Sequence, residues 1–365
     1  MKQRARSSVF IVIALLLAAC GGGGATSAVA EGADSGVVVR EDGESVDDYI
    51  DRLYEAAKEE GSVAYYQSAN EDELQAIVDA WNATFPEVEF EPVSATSGTI
   101  LERALLEAES GNVRGDVYGG GSGDQVALEE AGAIAEYRPA NEESVLPEYQ
   151  MDGPYIAVGY LSYHPAFNTD LVSADELPDE WMGYCEPQWR GQLAIDQEGA
   201  EWIAGLLAGM GEDGMGFLEC LAGNEPRLVR GSTNRTELLA AGEFGVMLDG
   251  YGHRIWEFME EGAPIEAQVP SPAPMPVVID MASMFADAPH PNAARLLLEF
   301  FLMPEGQEVF LAQNKAGVLG GDQEHPYGEI MEGAEVEVLA PGDADFDEAF
   351  QIFTDTFLGG EAPAP

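Results

Sequence analysis

From residue 62 to residue 131 the sequence alternates between strand and helix periods, and that alternation restricts the fold more than any other feature. Residues 62–66 are a short apolar run between Gly61 and Ser68, the mark of a buried strand. Residues 71–84 then place Leu74, Ile77, Val78 and Trp81 at helical spacing, and Pro86 ends them. Residues 88–93 read as a strand, and Ser97, Gly98 and Thr99 open a helix over 100–109. Residues 115–118 form a strand entering the glycine-rich run 119–123, and a helix follows over 124–131. Strand and helix in strict succession predict a doubly wound α/β lobe. In such sheets ligands bind beyond the carboxyl ends of the strands. Those ends are residues 67–70, 94–99 and 119–123, all small and polar. Ser68, Ser97, Gly98, Thr99 and Ser122 are their candidate ligand contacts.

A helix over 45–60, closed by Gly61, precedes this unit. Residues 155–163 form a strand-like run long enough to lead into a second lobe. There the alternation returns: strand 192–195, helices 200–210, 215–221 and 236–241, strand 244–248, helix 255–260 and strand 265–269. The last third is expected to be helical, most clearly over 292–301 and 305–313. The pattern thus divides the body into a first lobe over 45–158 and a second over 159–270. Residues 271–325 return to the first lobe with C-terminal helices, and residues 326–365 are assigned to neither.

Residues 1–19 are an address. Lys2, Arg4 and Arg6 precede an apolar run over 9–19, far short of the roughly 20 residues that span a bilayer. This is the pattern of a secretory signal, and Arg4 and Arg6 are not adjacent, as a twin-arginine signal requires. Leu17-Ala18-Ala19-Cys20 resembles the bacterial lipobox, in which the cysteine is lipidated and becomes the mature N-terminus. Residues 20–44 have no period and read as a flexible tether, with a span of about 25–30 Å. The expected body is exported and extracytoplasmic, on the outer face of the cytoplasmic membrane or in the periplasm, touching the membrane through its lipid alone. An oxidising compartment makes Cys185 and Cys220 either a disulfide or two buried thiols.

The chain carries 67 acidic and 16 basic residues, and loss of the three basic residues of the signal takes the formal charge from −51 to −54. A nucleic-acid binder needs cations to neutralise phosphates, so that class is excluded. With 46% hydrophobic residues the chain is also no acidic disordered tail. With only Lys2, Lys58 and Lys315 as lysines, the charge reads as a surface adapted to high salt, where screening removes self-repulsion.

Enzyme signatures fail in context. Residues 209–214 match G-x-G-x-x-G but follow a helical stretch, whereas the dinucleotide fingerprint follows a strand. Residues 120–124 miss the nucleophile-elbow pattern at the last position. Of the four histidines, His164 and His290 adjoin prolines and read as loop residues. No C-x-x-C or H-E-x-x-H occurs, and no catalytic set or resident cofactor is indicated. The arginines are more informative. Arg227, Arg230 and Arg235 surround Gly231-Ser232-Thr233-Asn234 just before a helix. Helix-start amides and arginine bind carboxylate or phosphate groups, making Arg230, Ser232 and Thr233 candidate contacts; Asp196 is a further candidate contact. The alternative is that Asn234 caps the helix with Glu237 three residues on, and the arginines balance nearby acids.

Six short motifs then occur in a recognisable order. They are Ala56-Ala57-Lys58-Glu59-Glu60-Gly61; Ser97-Gly98-Thr99; Leu177-Pro178 through Trp181 with Pro187-Gln188-Trp189-Arg190-Gly191; Ala241-Gly242-Glu243 with Glu261-Gly262-Ala263-Pro264; Ala288-Pro289-His290-Pro291-Asn292-Ala293-Ala294; and Pro304-Glu305-Gly306-Gln307. Over about residues 45–320 the chain resembles type II solute-binding proteins of ABC importers, and within them the ferric-iron subgroup. The resemblance implies two doubly wound α/β lobes joined by crossing strands, closing on a ligand cleft. It also implies a monomer that delivers its solute to ABC permease subunits. Ferric binders carry two adjacent tyrosines after the strand that follows Ala-Gly-Glu. Here that place holds Gly252-His253, so Tyr251 is near and the pair is absent. Asp249, Tyr251 and His253 offer a different oxygen and nitrogen metal set; alternatively they form a solvated turn, with Tyr251 packing the cleft wall and contacting the ligand. The expected cargo is ferric iron or a metal–anion complex, with a small organic anion, carboxylate or phosphonate, as the other reading. A sensor-coupled binding protein and an extracytoplasmic enzyme are the remaining alternatives.

Overall fold

Helix α1 (Val46–Glu60) forms where Ser45 Oγ accepts the Asp48 amide at 3.1 Å, and it ends at Gly61, whose φ of 91° suits glycine. Its stripe of Tyr49, Ile50, Leu53 and Ala57 is buried. The computed structural model describes residues 36–69, 71–197, 199–312, 316–319, 328–339 and 346–360. Cys20 and residues 20–35 of the expected tether lie outside them. The tether does not run on to residue 44. The Val38 amide donates to Asn292 Oδ1 at 2.7 Å, and Arg295 and Arg52 donate to the Val38 and Val39 carbonyls at 2.7 and 2.8 Å. These are main-chain contacts to distant side chains, so they leave no period in the sequence. The compact body begins at Val37.

Next come β1 (Ser62–Gln67), α2 (Glu71–Thr84), β2 (Glu89–Ser94), α3 (Ser97–Ser110), β3 (Val117–Gly120), α4 (Ser122–Glu130), β4 (Ile134–Ala135) and β5 (Ile156–Asn168). The second half contains β6 (Leu193–Asp196), α5 (Ala200–Met210), α6 (Glu212–Gly223), β7 (Arg227–Val229), α7 (Ser232–Ala240), β8 (Val246–Tyr251), α8 (Gly252–Glu260) and β9 (Ile265–Ala267). The chain then adds β10 (Met275–Phe285), α9 (Pro291–Phe301), α10 (Pro304–Ala312), β11 (Val336–Leu339) and α11 (Phe346–Phe357). The strands form one sheet in the order β2-β1-β3-β10-β5-β8-β6-β7. β1 is parallel to β2 and β3, and β6 is parallel to β7 and β8. β5 belongs to both halves. Residues 156–162 pair antiparallel with β10, and residues 163–168 pair antiparallel with β8 and β9. The fold is mixed α/β with two lobes, as the alternation predicts.

Two expectations fail here. The last third is not simply helical, because β10 lies at the middle of the sheet between β3 and β5. All its residues but Asp280 are buried, so it reads as a continuous apolar run and lacks the alternation that marks a half-exposed strand. His164 is not a loop residue. It lies inside β5, wholly buried, between Ser162 Oγ at 2.9 Å and Ser271 Oγ at 3.0 Å. Pro165 is accommodated because the register of β5 against β8 shifts there.

Residues 336–339 and 346–357, assigned to neither lobe by the sequence, pack on β10 and on helices of the second half. β11 pairs parallel with β10, and α11 packs on α5 and α6. Phe353 joins Trp181, Trp202 and Phe217 in one buried aromatic cluster, with the Trp181 and Trp202 ring centroids 5.8 Å apart. Cys185 and Cys220 are joined beside it, with Cα atoms 5.5 Å apart. Closing a loop of 35 residues restricts the unfolded chain by about 3–4 kcal/mol.

Candidate functional site

The three parallel strands β6, β7 and β8 end at Asp196, Val229 and Tyr251. Beyond those ends lies a cavity of about 390 Å³. Asp196, Arg230 and Tyr251 reach it from the strand ends, Ser232 from the first turn of α7, Glu201 from the first turn of α5, and Tyr163 from β5. A larger cavity of about 650 Å³ opens beside Arg138 and Arg295. No parallel-strand end lines it, and its arginines engage Glu142 and the carbonyls of Met151 and Val38. The smaller cavity sits where open α/β sheets bind ligands.

Its floor is an ion-pair network. Arg235, 1% exposed, pairs with Asp196 and lies 3.2 Å from Asp249, which is also 1% exposed. It also donates to the main-chain carbonyls of Val229 at 3.2 Å and Asp249 at 3.1 Å. One guanidinium from α7 thus holds the ends of β6, β7 and β8. Asp249 Oδ2 accepts the Asp196 amide at 2.7 Å. Burial works against the Arg235 charge, but Asp249 and Asp196 outweigh it and raise its pKa. Burial also lifts Asp249 to about 6, with Arg235 pulling the other way.

The second wall is phenolic. Tyr163 donates to Glu201 Oε2 at 2.8 Å, and the Tyr163 and Tyr251 ring centroids are 5.1 Å apart, tilted by 52°. Burial raises both phenols, Tyr251 to about 12, so both stay protonated at neutral pH. Burial also raises Glu201; the Tyr163 hydroxyl opposes this, and Asp280 and Asp124 add to it.

The predicted contacts separate cleanly. Asp196, Arg230, Ser232 and Tyr251 line the cavity together. Thr233 is exposed beside it and is not part of its lining. Ser68, Gly98 and Thr99 are exposed on the first lobe and do not line it; Thr99 shares a hydroxyl hydrogen bond with Thr96 at 2.9 Å. Ser97 is the first residue of α3, and its side chain lies outside the described part. Ser122 does not face a ligand: it is 2% exposed and donates to the Leu339 carbonyl at 3.2 Å. It does stand at a strand end, as expected, but β11, which takes its hydroxyl, has no local signature.

Asn234 does not cap α7. The helix starts at Ser232 after Gly231, whose φ is 85°, and Asn234 donates to the Arg230 carbonyl at 3.2 Å. Of the three arginines, Arg227 pairs with Glu243 at 3.3 Å on the surface, Arg235 is structural, and Arg230 reaches the cavity. Asp249, Tyr251 and His253 do not converge as a ligand set. Asp249 and Tyr251 both border the cavity, but Asp249 faces Arg235, and His253, outside the lining, stacks on Tyr251 at 5.7 Å. Among the described residues no three His, Cys, Asp or Glu side chains gather as a metal group. Tyr163 and Glu201 carry no signal in the sequence that marks them as site residues. Glu201 resembles an ordinary acid in the first turn of a helix, and Tyr163 an ordinary strand aromatic; only the long run leading through β5 hints at a place between lobes.

A cavity at the strand ends of a two-lobed α/β body lies where such sheets bind their ligands. The bacterial extracellular solute-binding protein family matches residues 67–308. The chain belongs to that family, and is a solute-binding protein of the ABC-transporter class. No curated protein matches it. Among solved structures it is similar to iron-bound HitA from Pseudomonas aeruginosa, with 19% identity over 81% of this chain and 99% of that one, at a TM-score of 0.67. It is also similar to AfuA from Actinobacillus pleuropneumoniae bound to fructose-6-phosphate, with 20% identity over 82% and 99% and a TM-score of 0.64. A third is Trichodesmium IdiA (FutA) with iron and citrate, at 18% identity over 82% and 98% and a TM-score of 0.65. The fold is shared with proteins of quite different ligands, and among the described residues no helix is long and apolar enough to cross a membrane.

Proposed function

We propose that this protein captures a small solute bearing an oxyanion in the cavity beyond the ends of β6, β7 and β8 and delivers it to an ABC importer, held to the membrane by a lipid on Cys20 and acting as a monomer without enzymatic turnover. One observation supports this most: Arg230, Gly231 and Ser232 bring a guanidinium, a hydroxyl and the start of α7 to a single cavity. Helix-start amides and arginine both favour negative oxygen. At about 390 Å³ the cavity has the size of small-molecule sites and exceeds what a bare ion fills.

A metal–anion complex is the second reading. Tyr163, Tyr251 and Glu201 put hard oxygen atoms into the same cavity as Arg230, and ferric iron favours such donors. The relatives in iron-bound and in iron- and citrate-bound form support it, while the fructose-6-phosphate complex supports an organic anion. Titration calorimetry on ligand-stripped protein separates them, with carboxylates, phosphonates, ferric citrate and Fe³⁺ alone as probes. At least one anion is expected to bind, and Arg230→Ala is expected to weaken it ten- to a hundredfold, on the order of one charge-assisted hydrogen bond. Binding of Fe³⁺ with no anion, or unchanged affinity in Arg230→Ala, would sink the oxyanion reading.

A further inference from the structure

The other residues that share the cavity with Arg230 decide which oxyanions fit. Glu201 lines the cavity, is not fully covered, and already accepts the Tyr163 hydroxyl at 2.8 Å. Tyr163 and Tyr251 line the same wall with their rings 5.1 Å apart. The charges acting on Glu201 from neighbouring elements are those of Asp280 on β10 and Asp124 on α4, both negative. Arg235 does not offset them, because it is committed to Asp196 and Asp249 below the cavity.

We infer that the solute is dipolar: an oxyanion on Arg230 and the start of α7, joined by a short spacer to an ammonium group seated on Glu201 beside the packed rings of Tyr163 and Tyr251. This rests on the oxyanion reading above and deepens it. A carboxylate next to aromatic rings attracts an ammonium group through charge and cation–π attraction together. A plain anion of the same size would satisfy Arg230 but bring its tail against Glu201, with Asp280 and Asp124 behind. A ligand that leaves a desolvated charge unpaired is rejected, and specificity of this kind comes from the repulsive partner as much as the attractive one. Iron fits this wall less well, because the Tyr163 oxygen is already a hydrogen-bond donor to Glu201 and no third acidic or imidazole ligand gathers there among the described residues.

The test uses matched pairs of probes on the purified, ligand-stripped protein, read by titration calorimetry. The pairs are β-alanine with propionate, γ-aminobutyrate with butyrate, and the ω-aminoalkylphosphonates with their unsubstituted alkylphosphonates. In at least one pair the aminated member is expected to bind tighter by on the order of a hundredfold. Glu201→Gln is expected to abolish that preference, and Tyr163→Phe to change it while keeping the ring. Thermal melts of both variants show whether the fold is retained. Arg230→Ala is expected to weaken both members of a pair. If plain anions bind as tightly as their aminated partners, the dipolar inference falls and the oxyanion reading stands. If ferric citrate binds and no aminated probe does, the dipolar inference also falls. If no anion of any kind binds, both fall.

Discussion

Arg235→Ala is expected to destabilise the protein by about 3–5 kcal/mol, the usual effect of removing one partner from a buried charge network. The loss would leave Asp249, wholly buried, and Asp196, about one-fifth exposed, facing each other without a counter-charge. It would also release the carbonyls of Val229 and Asp249. Total stabilities are typically only about 5–15 kcal/mol, so the change is large. Because the same guanidinium ties three strand ends, ligand affinity should fall with stability, whereas Arg230→Ala should lower affinity and leave stability nearly unchanged. Urea unfolding and calorimetry on the two variants separate these roles. Parent-like stability in Arg235→Ala would mean that the strand ends are held by packing alone.

His164 should make the protein acid-sensitive. Burial lowers its pKa from 6.5 to about 3, so the native state keeps the ring neutral. Between those values the unfolded chain binds a proton that the native chain does not. Stability from this group is therefore complete above about pH 6.5 and declines as pH falls, by about 1.4 kcal/mol per unit. By pH 3 the loss approaches about 4–5 kcal/mol. Asp249 has the opposite sign. Its native pKa of about 6 exceeds the ordinary 3.8, so the native chain takes up a proton first and gains stability between those values on acidification. The difference between the parent and His164→Gln isolates the histidine, since glutamine keeps hydrogen-bonding atoms for Ser162 and Ser271. Stability curves that run parallel from pH 7 to pH 4 would refute the assignment. The position matters because His164 lies in β5, the strand shared by both halves of the sheet.

Much of the first lobe is legible in the sequence. Leu74, Ile77 and Trp81 mark one helical face and are buried together, because a single apolar stripe at period 3.6 has one way to be covered. In the second lobe, four of the residues singled out in the sequence, Asp196, Arg230, Ser232 and Tyr251, line one cavity. Local pattern fails where partners are remote. β10 has no alternation to betray it, because a strand buried on both faces is apolar throughout. Ser122 looks like a ligand contact, but its hydroxyl is taken by Leu339, 217 residues away. Arg227, Arg230 and Arg235 look alike in sequence, yet one is on the surface, one lines the cavity and one is sealed beneath it.

By itself the sequence determined the α/β class and the family. These follow from local periods, turn residues and short motifs, which carry their information within a few residues of chain. Only the tertiary structure decided which charges are spent and which face the ligand. Glu201 reaches Tyr163, and Arg235 reaches Asp196 and Asp249, across separations of 38, 39 and 14 residues. The meaning of each charge is set by which other charge the fold brings against it and by how much water is excluded when it does.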